Sequence, residues 1–156
     1  MLQAHDYGIW CYEPGKPPSG FADASGKGKF ENGDPSRIKV LIVDDESTIA
    51  ETLVEILNGE GFEAIAASAG DSALASAQAF GPDVVISDVV MPGMSGVELG
   101  IELRRILPRC RIILFSGQTA TVDLLREARK RGHEFEIVAK PIKPQALISM
   151  IRHRSN

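Results

Sequence analysis

The 156-residue chain holds two cysteines, three histidines, one tryptophan and no apolar run longer than a strand. Each scarcity removes a class of protein. Cys11 lies in a Gly/Pro-rich stretch and Cys110 beside an apolar run, a spacing that suits neither a zinc site nor a disulfide framework, so reduced thiols are expected. His5, His133 and His153 have no ligand-like spacing and no serine or cysteine nucleophile to serve, so they read as surface histidines. The N-terminus MLQAHDYGIWCYEPG lacks both a basic start and an apolar stretch of signal-peptide length, and no run is long enough to span a bilayer. A cytoplasmic protein without membrane insertion is expected. Basic charge is not in excess either. Seventeen Lys and Arg against 21 Asp and Glu leave a net charge of -4, with no global reason to expect nucleic acid or an anionic membrane as partner.

What remains is an ordinary core-forming composition, 44% hydrophobic, in a length that suits one globular domain. Residues 1–37 are rich in Gly, Pro and Ser, with Pro14, Pro17, Pro18 and Pro35 opposing regular structure, and are expected to form a flexible tail. Trp10 and Tyr12 stand in that tail, where incidental exposure and docking elsewhere both remain open. From Ile38 to Arg154 short apolar runs alternate with helix-period segments: IKVLIV, STIAETLVEILN, FEAIAA, DSALASAQAF, DVVISD, SGVELGIELRRIL, CRIILF, TVDLLREARKR, FEIVA and PQALISMIR. Continuous apolar strands alternating with helices predict a doubly wound α/β domain, a five-stranded parallel sheet buried on both faces. Asn58-Gly59, Gly81-Pro82, Pro108 and Gly132 mark helix stops; Ser95 with Glu98 has the capping-box pattern, and Pro144 suits a first helical turn.

Against this background polar residues fall at the C-terminal ends of strands: Asp44 and Asp45 after the first, Asp88 after the third, Ser116 after the fourth, Lys140 after the fifth. That edge is where open α/β sheets bind ligands. If the strand order is 2-1-3-4-5, the first and third strands are neighbours about 4.8 Å apart and the three carboxylates converge. Two such charges about 4 Å apart repel by roughly 4 kcal/mol at an effective dielectric of 20. A hard divalent cation relieves this, and an oxygen-only donor set favours Mg2+ over zinc. Ser116 and Lys140 can both reach a group attached to Asp88. Nucleophilic oxygen, metal and donors for the remaining charge are the parts that phosphoryl transfer needs.

VDDE at 43–46, DVVMPGMSG at 88–96, FSG at 115–117 and KPI at 140–142 together resemble the response-regulator receiver family, over residues 38 to about 154. The resemblance implies a flavodoxin-like (βα)5 fold with the 2-1-3-4-5 order. It also implies phosphorylation of Asp88, Mg2+ held by Asp45, Asp88 and the Val90 carbonyl with Asp44 as acidic partner, and a cis Lys140–Pro141 bond. The donor would be a sensor histidine kinase or a histidine phosphotransfer protein. The expected role is a signalling receiver rather than an enzyme, catalysing only its own phosphoryl transfer and slow self-dephosphorylation. As the last helix runs out at IRHRSN, output is expected through contact with a downstream protein or onward relay, with no direct nucleic-acid contact.

Blander readings stand beside these. An Asp pair before a helix is often only a cap, and a lone lysine or serine is usually a surface or turn residue. Met91 and Met94 read as packing residues, and Arg126, Arg129, Lys130 and Arg131 as a solvated helix end. An aspartate-nucleophile phosphohydrolase would usually carry an acid at position 90, which is Val90. A phosphorylation-incompetent scaffold would usually lack an acidic or lysine site residue. One departure concerns switching: the family often has an aromatic where Ile137 stands, and Phe135 is two residues out of register. The resemblance also places Val90 and Gln118 at positions where family members often carry polar residues that tune phosphate lifetime.

Overall fold

The computed structural model describes residues 36–117 and 121–153. Five strands and five helices alternate: β1 (Lys39–Val43), α1 (Ser47–Gly59), β2 (Glu63–Ala67), α2 (Gly70–Phe80), β3 (Val84–Asp88), α3 (Gly96–Ile106), β4 (Arg111–Ser116), α4 (Thr121–Lys130), β5 (Glu136–Ala139) and α5 (Pro144–Arg152). The strands form one sheet in the order β2-β1-β3-β4-β5, all neighbours parallel. The expected tail lies almost wholly outside the described residues, as does Gln118.

The period-2 alternation of strand side chains splits the core into two layers. Val40, Ile42, Val84, Ile86, Ile113 and Phe115 point to one face, where they meet Leu53, Val54 and Leu57 of α1 and Leu147, Ile148 and Ile151 of α5. Leu41, Val43, Val85, Ile112 and Leu114 point to the other, against Ala73 and Ala77 of α2, Leu99 and Leu103 of α3, and Ala128 of α4. Burying one such aliphatic side chain stabilises by roughly 1.5–3 kcal/mol. Nothing in the interior of β1, β3 or β4 is left for solvent, which is why these segments read as unbroken apolar runs.

Helix ends follow the sequence punctuation. Ser95 and Glu98 form the reciprocal capping box of α3. Gly81 ends α2 in the left-handed conformation at φ 65°, which only a residue without Cβ adopts cheaply. Pro144 opens α5. No helix among the described residues is long and apolar enough to cross a membrane.

Candidate functional site

The register sets up the site. Val43 of β1 lies opposite Ser87 of β3, so the next residues, Asp44 and Asp88, leave the sheet edge side by side, with Asp45 following. One carboxylate oxygen from each of the three lies within 4.8 Å of the others. Asp88 is itself fixed from below: the Gly96 amide donates to the Val89 carbonyl at 2.8 Å, and a Cβ on Gly96 would overlap the Asp88 carbonyl. The first turn of α3 therefore lies directly on the backbone that carries Asp88.

Asp44 is 1% exposed. Its Oδ1 accepts the Glu46 amide at 2.9 Å, whereas Oδ2 is buried without a hydrogen-bond partner. Burial pushes the Asp44 carboxyl above its ordinary pKa; the Glu46 amide and Lys140 oppose this, while Asp88 and Asp45 add to it. The Asp pair is not the cap of α1, because Glu46 holds that position and makes no side-chain cap.

Lys140 reaches in from the fifth strand. Its Nζ lies 3.2 Å from Asp88 Oδ2 and 3.6 Å from Asp44 Oδ2. Burial works against the ammonium, but the two carboxylates outweigh it and hold its pKa above the ordinary value. The Lys140–Pro141 bond is cis, and the Lys140 amide donates to the Ser116 carbonyl at 3.0 Å, continuing the β4–β5 ladder past its end. Ser116 is half-buried at the end of β4, one residue beyond the Asp88 partner Phe115. Its neighbour Gly117 lines the cleft. A Cβ there would meet the Lys140 stem at 3.5 Å, ordinary contact, so the glycine leaves the lysine's flank open without being sterically required.

These groups surround a cleft of about 560 Å³ lined by Asp45, Glu46, Asp88, Val90, Gly117, Lys140 and Pro141. Glu46 was not singled out from sequence as part of it; its place directly after Asp45 at the strand-to-helix turn is the signal that would have found it. Met91 is buried and Met94 packs on Gly70, where a Cβ would lie 2.7 Å from the Met94 Cβ, so both are packing residues.

Three carboxylates facing one ammonium leave this edge two charges short of neutrality. At 4.8 Å and an effective dielectric of 20, each carboxylate pair repels by about 3–4 kcal/mol. The donors are hard oxygens, and the unsatisfied Asp44 Oδ2 adds a buried acceptor with nothing to accept. Such a set fits a small, hard divalent cation and fits soft metals poorly.

Ile137 pairs with Leu114 on the α4 side of the sheet and is 40% exposed. Phe135 lies elsewhere: its ring fills the notch left by Gly100 and is covered by the Arg104 guanidinium at 4.2 Å.

A doubly wound parallel sheet with an acid cluster and a lysine converging at its carboxyl edge defines a class of phosphoryl-accepting signalling domains. The chain belongs to the response regulator receiver domain family, whose description matches residues 40–152. It is 32% identical over 121 residues to the DNA-binding response regulator MtrA of Mycolicibacterium smegmatis, covering 78% of this chain and 52% of that protein. It is 34% identical over 113 residues to the sensory transduction protein RegX3 of the same organism, covering 72% and 48%. The chain thus spans about half the length of these relatives. Among solved structures it resembles the chemotaxis protein CheY4 of Vibrio cholerae, with TM-score 0.66 and 30% identity over 75% of this chain and 98% of that one. A receiver domain protein from Clostridium thermocellum gives TM-score 0.66 and 33% identity over 74% and 91%. The protein is accordingly a receiver module of two-component signal transduction.

Proposed function

We propose that Asp88 is the phosphoryl acceptor, within a receiver domain of residues 38–154, and that a sensor histidine kinase or a histidine phosphotransfer protein is the donor. A carboxylate oxygen of Asp88 attacks phosphorus, the bond from phosphorus to the donor imidazole nitrogen breaks, and the imidazole leaves with that electron pair. Lys140, 3.2 Å from Asp88 Oδ2, exchanges its carboxylate partner for a phosphoryl oxygen. Ser116, at the end of the adjacent strand, donates its hydroxyl to another.

Asp45, Asp88 and the Val90 carbonyl would hold Mg2+, with Asp44 as the neighbouring carboxylate. When bound, the ion neutralises charge on the phosphoryl oxygens. Output is a changed contact with a downstream protein, in the cytoplasm, without direct nucleic-acid contact by this domain. The observation carrying this reading is the convergence of three carboxylates within 4.8 Å with the Lys140 ammonium at one sheet edge.

Acetyl phosphate with Mg2+ should add one base-labile phosphoryl group, located at Asp88 by mass spectrometry of the reduced, tagged peptide. Asp88→Asn should abolish it. Equal labelling of that variant would assign the nucleophile elsewhere.

A further inference from the structure

The loop that leads from the acceptor strand into α3 is short and pinned at both ends. Asp88 closes β3, and Gly96 opens α3 with its amide bonded to the Val89 carbonyl at 2.8 Å. Between them Pro92 and Gly93 are exposed, Met91 is buried at 7% exposure, and Met94 is half-buried. Met94 packs sideways onto α2. A Cβ on the buried Gly70, the first residue of that helix, would lie 2.7 Å from Met94 Cβ, 2.9 Å from Cγ and 2.8 Å from Sδ. The thioether thus runs through the space that a side chain at position 70 would fill. The contact covers a helix start that has little else to hold it, because Ala69 at the N-cap supplies no side-chain hydrogen bond.

A half-buried thioether is open to small peroxides, whereas burial shields Met91. Hydrogen peroxide delivers one oxygen: the O–O bond breaks, an S–O bond forms, sulfur is oxidised by two electrons and the peroxide is reduced to water. Cys110 competes poorly, since burial pushes its thiol up to about 12 and leaves little thiolate. The sulfoxide is larger than the thioether and polar, and the notch at Gly70 has no room for it. It must turn out to solvent, and the loop must follow. Met94 stands six positions after Asp88 and two before Gly96, so the displacement reaches the backbone that carries the acceptor and the Val90 carbonyl.

We propose that Met94 is a site of reversible oxidation by peroxide, and that its sulfoxide frees the acceptor loop from α2 and slows phosphoryl transfer to Asp88. The effect on transfer rests on Asp88 as the acceptor; the release of α2 does not.

Full-length protein treated with hydrogen peroxide should gain one oxygen on Met94 before Met91 reacts, as read by peptide mass spectrometry. Met150, half-buried in the opposite layer, serves as an internal comparison. Once Met94 is oxidised, hydrogen exchange in the first turn of α2 should speed up, and labelling by acetyl phosphate with Mg2+ should slow several-fold. A methionine sulfoxide reductase with a thiol reductant should restore both. Met94→Leu should label normally and lose the response to peroxide, so that any oxidation of the cysteines, common to both proteins, is separated out. Met94→Gln, polar and unbranched, should label slowly without peroxide. Oxidation of Met94 that leaves exchange and labelling unchanged overturns the proposal, as does a peroxide response that persists in Met94→Leu or a Met94 that reacts no sooner than Met91. If untreated protein takes no label on Asp88, the acceptor reading fails, and the exchange comparison still decides whether oxidation releases α2.

Discussion

Replacing Gly100 by alanine should destabilise the domain, although alanine is the better helix former. In an unobstructed helix interior Gly→Ala gains about 1 kcal/mol. At this position the new Cβ would lie 2.6 Å from Phe135 Cε1 and 2.9 Å from Cζ. The ring has no easy retreat: the Arg104 guanidinium lies 4.2 Å from its centre, and the same guanidinium donates to the Glu134 carbonyl. Overpacking of this kind costs about 1–3 kcal/mol, so the net effect should be a loss of about 1 kcal/mol, or a fall of about 4 °C in Tm for a domain this size. With Phe135→Ala as background the obstruction is gone, and Gly100→Ala should now stabilise by about 1 kcal/mol. The sign reversal, a coupling of about 2 kcal/mol in a double-mutant cycle, is the test. Urea unfolding followed by circular dichroism on the four proteins measures it. If Gly100→Ala stabilises in both backgrounds, the ring does not occupy the notch and the packing of Phe135 against α3 is wrong.

Three further outcomes follow from the site and its surroundings. Asp45→Ala should weaken Mg2+ binding at least tenfold by titration calorimetry and Asp44→Ala less, since the hard cation depends on directly ligating carboxylate charge; unchanged affinity in Asp45→Ala would remove it from the ligand set. Val90, 42% exposed at the mouth of the cleft, cannot orient a hydrolytic water, so Val90→Asn should speed phosphate release from labelled protein, and an unchanged rate would show that water placement there is not limiting. Burial raises the Glu63 carboxyl above its ordinary 4.5, against the pull of Lys39 and Arg37 and with the help of Asp83. The folded state therefore holds this proton more tightly than the unfolded one, and stability is lost as pH rises from below 4.5 through the folded pKa. Glu63→Gln should be the more stable protein at pH 7, and its advantage should shrink as pH falls; an advantage that stays constant across that range would contradict the burial.

Much of this was legible because the chain repeats one unit five times. Continuous apolar strands gave the element order, and Ser95-Glu98, Gly81 and Pro144 gave helix ends within a residue or two, since caps and turns are local chemistry. The sheet order came only through the family resemblance, because periodicity tells which residues face away from water and not which strand lies beside which. Asp44, Asp45, Asp88 and Lys140 could be gathered once that order was known. Contacts between elements without motif character stayed hidden. Nothing local to Gly100 announces that Phe135, 35 residues on, needs its missing Cβ. Nor does the sequence of β2 reveal that Glu63, with polar character and an apparent place at a strand start, is 8% exposed with Oε2 unpartnered. Arg111 gave no signal either, yet its bidentate pair with Glu136 and its bond to the Met150 carbonyl fasten β4, β5 and α5 together.

The pairing of β1 with β3 has a consequence for the order in which the molecule is made. Val40 and Val84 are neighbours in the sheet but 44 residues apart along the chain, with α1, β2 and α2 between them. Closing a loop of that length costs roughly 3–4 kcal/mol of chain entropy by the logarithmic law, and β1 can pair with β2 across a shorter loop first. The pair that must wait is the one that brings Asp44 beside Asp88. On a ribosome, or in refolding, a chain with only β1, α1 and β2 assembled has Asp44 and Asp45 in place without Asp88 beside them. With Asp88 as the proposed acceptor, the capacity to receive a phosphoryl group is withheld until the central strands have met.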